Sequence, residues 1–318
     1  MMKLVMIAAA ILCAGEVAAQ GFPSRNVRLI VPFPPAGAVD IIARTLAQPL
    51  SASLGQNVII ENRAGANTVI GAELVARAPA DGHTLLLMAP SFTINPIVRS
   101  KMPYDTFKDF SGVTRLAANP LVVSVHPSLP AKTVRDLVAI ARARPGELTF
   151  ATASILGGQR LAGELLWQTA KAKVINVPYN GGAPAGTAVM GGHNPILVAN
   201  VSESAPFIGA GRLRGIAVTS LQRADALPKV PTVAESGYPG FEALNWFGAV
   251  ARSGTPKNAM DRLASEMAHG LQAPEVRDIL TKQGLMPAAL AQESFDAFMK
   301  TEMARNERII RALNLKID

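Results

Sequence analysis

The chain has 318 residues, is 49% hydrophobic with few aromatics, and carries a formal charge of +8. That length exceeds what one small core needs and fits two domains. The basic residues are scattered, with no Lys/Arg block interleaved with aromatics, which argues against a nucleic-acid partner; a positive field favours anionic solutes only weakly.

Taken in order, the chain opens on a processing signal. Met1-Met2-Lys3 is a short basic start, and Leu4 to Ala14 is apolar but too short to span a bilayer. Val17-Ala18-Ala19 offers small residues for cleavage before Gln20, so residues 1–19 read as a removed signal peptide. Lys3 and Glu16 leave together, so the charge of the remaining chain is unchanged. The one cysteine, Cys13, lies inside the apolar stretch and follows Leu12, where a lipoprotein cysteine would need a small residue. The remaining chain then has no disulfide, no thiol nucleophile and no thiolate metal site. An exported, cysteine-free α/β chain points to a bacterial cell envelope.

Val27 to Val31 is apolar and β-branched and reads as a buried strand. Pro32, Pro34 and Pro35 end it, because proline donates no ladder hydrogen bond. Gly37 is free to turn, and helical spacing begins at Ile41, Ile42 and Leu46 with Asp40 as N-cap. Asn57 to Glu61 reads as a second strand, Thr68 to Ala78 as a helix, and His83 to Ala89 as a third strand. That order implies right-handed crossovers and a parallel sheet. Pro90 to Pro96 reads as a loop. Gly112 to Leu116 and Leu121 to Val125 are two apolar runs split by Asn119-Pro120, where the chain is expected to cross into a second unit.

In that unit Thr133 caps a helix ending before Pro145-Gly146. Strands at Leu148–Thr152, Val174–Val177, Ile196–Ala199 and Leu213–Thr219 alternate with helices. From Ser220 to Phe241 the chain is loop-rich. Leu244 to Val250 reads as a strand, and three helices near Lys257–Leu271, Pro274–Gln283 and Gln292–Ala312 are expected to pack back on the first unit. The expected division is 20–120 with 228–318 as lobe 1 and 121–227 as lobe 2.

Four loops follow a strand and precede a helix: Phe33–Asp40, Ala153–Gln159, Tyr179–Pro184 and Asn200–Glu203. In open parallel sheets ligands sit outside the carboxyl ends of strands, where helix N-termini offer unpaired N–H groups to an anion. If the two units face each other, these loops meet in one cleft. Arg160 stands in the first turn of a helix, an unfavourable place for a cation unless it pairs with a carboxylate across the cleft. Tyr179, Phe33, Phe92 and Trp246 are aromatic candidates for its walls.

Catalytic signals are poor. His83, His126, His193 and His269 lack metal-ligand spacing. Ser154 follows a strand, but its surroundings are not Gly-x-Ser-x-Gly, and Gly157-Gly158 lacks the Lys-Ser/Thr of a phosphate loop. A hydrolase built on Ser154 or His126 has no recognisable base and orienting group. No cofactor and no metal are expected.

The motifs together resemble the Bug/TctC family of periplasmic solute-binding proteins, receptors of tripartite tricarboxylate-type transport systems. The resemblance rests on Arg28-Leu-Ile-Val-Pro-Phe-Pro-Pro-Ala-Gly to Asp40, Leu54-Gly-Gln-Asn-Val-Ile-Ile-Glu-Asn-Arg-Ala-Gly, and Asp81-Gly-His-Thr-Leu-Leu. It continues through Pro103-Tyr-Asp-Thr-Phe-Lys-Asp-Phe, Leu161-Ala-Gly-Glu-Leu, Val177-Pro-Tyr-Asn-Gly-Gly-Ala-Pro-Ala and Leu213-Arg-Gly-Ile-Ala-Val-Thr-Ser. Leu227-Pro-Lys-Val-Pro-Thr-Val-Ala-Glu-Ser-Gly and Trp246-Phe-Gly complete it, over essentially the whole chain after the signal.

The resemblance implies an α/β, type II periplasmic-binding-protein fold: two α/β lobes around an interdomain cleft that closes on a small carboxylate. It implies a monomer that delivers its ligand to the membrane subunits of a tripartite transporter, not an enzyme. A ligand-sensing protein that signals to an envelope sensor would have the same fold. The implied ligand residues are Phe33, Pro35, Ala36, Gly37, Ala38 and Asp40 on the first loop, and Ser154, Leu156, Gly157, Gly158 and Arg160 on the second. Tyr179, Asn180 and Asn200 complete the set. Ala36 replaces a usual glycine and Val39 a hydroxyl residue, Ile155 and Leu156 are apolar, Arg160 takes a histidine's place, and Ala199 stands where Asp is frequent. These departures imply an acid with an apolar or aromatic body rather than a tricarboxylate.

Overall fold

The computed structural model describes residues 21–153, 155–179 and 181–312. The expected signal peptide, together with Ser154 and Asn180, lies outside the described residues.

Strand β1 (Val27–Val31) pairs in parallel with β2 (Val58–Asn62) on one side and β3 (Thr84–Met88) on the other. Helix α1 (Ala38–Leu54) connects β1 to β2, and a 3-10 turn at Ala66–Thr68 leads into α2 (Val69–Ala76) before β3. Both pairings are parallel, as the order of elements implied. The expected loop after β3 is instead helix α3 (Ser91–Val98), in which Thr93 Oγ1 and the Ile94 N–H both donate to the Pro90 carbonyl. Pro96 falls late enough in this short helix to remove only one of its hydrogen bonds.

The two apolar runs around Asn119-Pro120 form one strand, β4 (Phe110–Val125), 16 residues long. Its first part pairs antiparallel with β9 (Leu244–Arg252), as far as Pro120 opposite Leu244. Its last part, from Leu121 opposite Asn200, pairs antiparallel with β7 (Ile196–Asn200) and with β8 (Arg214–Val218). Pro120, which has no N–H to give, stands at the changeover. The strand order is β2-β1-β3-β9-β4-β7-β5-β6, with β5 (Thr149–Thr152) and β6 (Ile175–Pro178) at the far edge. A two-residue strand, β10 (Met286–Pro287), pairs with β4.

Two main cores flank the changeover. Leu29, Val31, Ile42 and Leu46 pack with Met260, Leu263, Val276 and Leu280. The last four come from α8 (Lys257–Gly270) and α9 (Pro274–Lys282), so those helices do return to the first unit. Leu121, Val123, Phe150 and Trp167 form the second core with α4 (Val134–Ala143) and α5 (Gly158–Thr169). Thr133 caps α4 as expected, its hydroxyl accepting from the Asp136 N–H while the Asp136 carboxylate accepts from the Thr133 N–H. Val233, Phe241 and Ala243 belong to this second core, although they lie beyond residue 227. Helices α6 (Gly182–Met190) and α7 (Val201–Gly209) complete that side, and α10 (Gln292–Ala312) closes the chain against β4 and α3.

A smaller cluster joins the two halves. Ile94 and Val98 of α3 and Ile309 and Ile310 of α10 meet Leu156 and Leu161 from the start of α5, all buried.

Candidate functional site

The first loop is held from behind. Ala36 adopts φ +66°, while Gly37 is extended at φ −80° and ψ 168°. The turn expected at Gly37 is therefore made by Ala36, a left-handed conformation that is costly for a residue with a Cβ. Gly37, not Asp40, is the N-cap of α1, and no side chain caps that end. Asp40 lies in the first turn and reaches back. Its Oδ2 accepts from the Ala36 N–H at 2.9 Å and Arg44 Nε at 2.8 Å, and its Oδ1 accepts from Asn62 Nδ2 at 2.9 Å. Burial alone would raise its pKa, but these donors outweigh burial and hold it at about 2. Asn62 Nδ2 also donates to the Phe33 carbonyl, at 3.1 Å. Asp40 thus shapes the loop instead of lining the cleft, and the Ala36 N–H is already used. The N–H groups of Ala38, Val39 and Asp40 have no partner within the helix.

The second loop is latched by the helix that follows it. Gln159 Oε1 accepts from the Ala153 N–H at 2.8 Å, and Arg160 Nη1 donates to the Ile155 carbonyl at 2.6 Å. Gly157 is an extended N-cap without a side-chain cap, so α5 also begins with unpaired N–H groups. Arg160 does not face the cleft as expected. Its guanidinium lies 3.5 Å from the Glu164 carboxylate, and the two side chains are only 15% and 10% exposed. Burial pushes the Glu164 carboxyl up, and Arg160 pulls it partly back.

The fourth loop brings Asn200, the N-cap of α7, whose Nδ2 donates to Glu203 Oε1 at 2.8 Å. From β9, Asn245 Nδ2 donates to Asn200 Oδ1 at 3.5 Å. A Cβ built on Gly158 would come within 2.8 Å of Asn245 Oδ1, so glycine permits the close approach of α5 to β9. In the third loop Tyr179 turns aside. Its hydroxyl accepts from Asn194 Nδ2 at 2.5 Å, and its ring packs on the buried cluster around Ala185 and Leu197.

These elements enclose a cleft of about 430 Å³. Of the expected residues, Phe33, Pro35, Gly37 and Ala38 line it from one side, and Leu156, Gly157, Gly158 and Asn200 from the other. Ala36, Asp40, Arg160 and Tyr179 are not among its described lining. Phe92 and Trp246 are core, with Trp246 Nε1 donating to Glu302 Oε2 at 3.2 Å. Sequence reasoning missed Asn67, Ser91, Asn245 and Phe247, and did not single out Gln159 or Glu203 within their loops. Asn67 sits in a run of three non-glycine residues at positive φ, Ala66 at 47°, Asn67 at 53° and Thr68 at 80°, a strain typical of ligand sites that no sequence period reveals. Asn245 and Phe247, beside and within the Trp246-Phe-Gly motif, were the ones reachable from sequence.

Two uncapped helix starts, those of α1 and α5, thus open on one cleft, while the start of α7 already carries the Glu203 carboxylate. Such an arrangement presents N–H groups and partial positive charge to an anion. Among the described residues no group of three or more His, Cys, Asp or Glu could hold a metal ion, and no helix is long and apolar enough to cross a membrane.

Comparison with known proteins agrees with this geometry. Residues 42–315 match the sequence profile of the tripartite tricarboxylate transporter family receptor, TctC. A UPF0065 protein from the tcbD-tcbE intergenic region of Pseudomonas sp. (strain P51) is 38% identical over 290 residues, covering 91% of this chain and 86% of that protein. Protein BugT of Bordetella pertussis is 34% identical over 306 residues, covering 96% and 94%. The structure of Rpa4515 of R. palustris with adipate has a TM-score of 0.80 at 33% identity, covering 93% of this chain and 99% of that one. The family consists of substrate-binding proteins, not enzymes. The chain belongs to the TctC/Bug family of tripartite tricarboxylate transporter receptors, with the two-lobed α/β fold of periplasmic solute-binding proteins.

Proposed function

We propose that the cleft holds one carboxylate of a small organic acid on the N–H groups that begin α1 and α5, and that the lobes close around it. The carrying observation is the convergence of the two uncapped starts of α1 and α5 on a single cleft. The volume suits a ligand of a few to a dozen or so heavy atoms. Phe33, Leu156 and Phe247 give the walls an apolar share, which fits an acid with an apolar body. Adipate in a related structure supports the ligand class.

Ligand touching both lobes would stabilise the closed arrangement by population shift. The same reading makes this chain an exported monomer that hands its ligand to the membrane subunits of a tripartite transporter. It divides the chain near residues 120 and 243, the second point lying later than 228 because Phe241 and Ala243 join the second core. A thermal-shift screen of carboxylates on the chain without its first 19 residues tests the reading, since a ligand that binds only the folded state raises its melting temperature. Mass spectrometry of acids co-purified from the native cell envelope identifies the physiological one. A broad carboxylate panel that produces no shift sinks the proposal.

A further inference from the structure

Glu203 is out of keeping with a cleft built for an anion. It is the only ionisable side chain among the described residues that line the cleft. It lies in the first turn of α7 and is open to the cleft's solvent. Oε1 accepts from Asn200 Nδ2 at 2.8 Å, and Oε2 accepts from Gln159 Nε2 at 3.4 Å. The carboxylate rests over Gly182, where any Cβ would collide with Oε2.

No described cation pairs with it. Arg160 on α5 serves Ile155 and Glu164. Arg115 on β4 donates to the Ala288 carbonyl, and Arg214 on β8 donates to the carbonyls of Leu129 and Ala131. The described parts of α6 and β7, which also pack on α7, carry no charged side chain. Burial raises the pKa of Glu203, the amide donors of Asn200 and Gln159 opposing it. A carboxylate accepts up to about four hydrogen bonds, and this one receives three, from the side chains of Asn200 and Gln159 and from the Asn200 N–H, so acceptor capacity remains.

We propose that Glu203 sets the ligand class of this receptor: a monocarboxylate that also bears a cationic nitrogen, its carboxylate at the starts of α1 and α5 and its ammonium on Glu203. The assignment rests on the carboxylate reading above and makes it narrower. A plain dicarboxylate would set a second negative charge against Glu203, and like charges repel. A zwitterion instead supplies the missing counter-charge, and a charge-assisted hydrogen bond is stronger than a neutral one.

The test is titration calorimetry at about pH 7.5 with three probes of equal length, hexanoate, 6-aminohexanoate and adipate, and with the corresponding shorter sets. The wild-type protein is expected to bind the amino acid of at least one set about tenfold or more tighter than the matching dicarboxylate, a gap of about 1.4 kcal/mol. Glu203→Gln should lose about tenfold on that amino acid and gain on the dicarboxylate, while Glu203→Asp should keep the wild-type order of preference. Melting temperatures of both variants report their folding, and a purely structural Glu203 would lower them without reordering the probes. An unchanged order in Glu203→Gln, or tighter dicarboxylate binding by the wild type, overturns the assignment while leaving the carboxylate reading intact. If no probe binds any of the proteins, the carboxylate reading itself fails, and this assignment falls with it.

Discussion

Asp40 and Arg160 show how a charged side chain beside a ligand cleft can serve the protein instead of the ligand. Asp40 is held at about 2 against a usual value of 3.8, so its ionised form belongs to the folded state. Because the folded pKa lies below the unfolded one, the stabilisation is complete above about pH 4 and disappears as pH falls towards 2. Asp40→Asn should therefore cost on the order of 2 kcal/mol at neutral pH, with the deficit vanishing in acid. Urea unfolding of both proteins across that range measures it, and a deficit independent of pH would disprove the electrostatic account. Arg160→Ala would leave Glu164 buried without its partner and should cost about 3 kcal/mol. Adding Glu164→Gln should recover part of that loss, and a strictly additive pair of losses in the double-mutant cycle would contradict the pairing. The sequence reading set Arg160 against a carboxylate across the cleft, and its partner is instead Glu164, four residues on. What no sequence pattern showed was that both side chains are largely buried and outside the cleft's described lining.

At the scale of elements, the local alternation of strands and helices was legible because periodicity and turn residues are local signals. The helix capped by Thr133 and the three C-terminal helices lie where their patterns put them. One misreading came where a neighbour distant in sequence decides: Asn119-Pro120 reads as a break but lies within β4, where the partner strand changes. Two others are local: Pro90 to Pro96, read as a loop, falls largely in helix α3, and the reach of Asp40 back to Ala36 accompanies a start of α1 at Ala38. The starts of α1 and α5 differ in a way that can be tested. Gly37 has φ −80° and its nearest atom to an added Cβ is Pro34 O at 3.7 Å, so Gly37→Ala should fold with unchanged stability. Its methyl would nonetheless stand on the cleft side of the unpaired N–H groups and weaken carboxylate binding by about tenfold, equal to 1.4 kcal/mol. Calorimetric titration beside a melting curve separates the two effects, and full affinity in Gly37→Ala would remove the α1 start from the site.

For the whole molecule, the cluster of Ile94, Val98, Ile309 and Ile310 with Leu156 and Leu161 holds the halves together beside the cleft. Ile309→Ala should cost about 3 kcal/mol and also loosen the closed arrangement. Small-angle scattering without ligand should then give a larger radius of gyration than the wild type, and an unchanged radius would confine the cluster's role to stability. The position of β9 has a separate consequence. It lies between β3 and β4, in the middle of the first sheet, yet it is made only after the entire second core has been synthesised. A chain emerging N-terminus first can finish its second lobe while β3 still offers an open edge to any passing strand. The first lobe is therefore the late and vulnerable half of assembly, and conditions that delay the arrival of the last 75 residues, 244–318, expose this protein to mispairing long before its binding site exists.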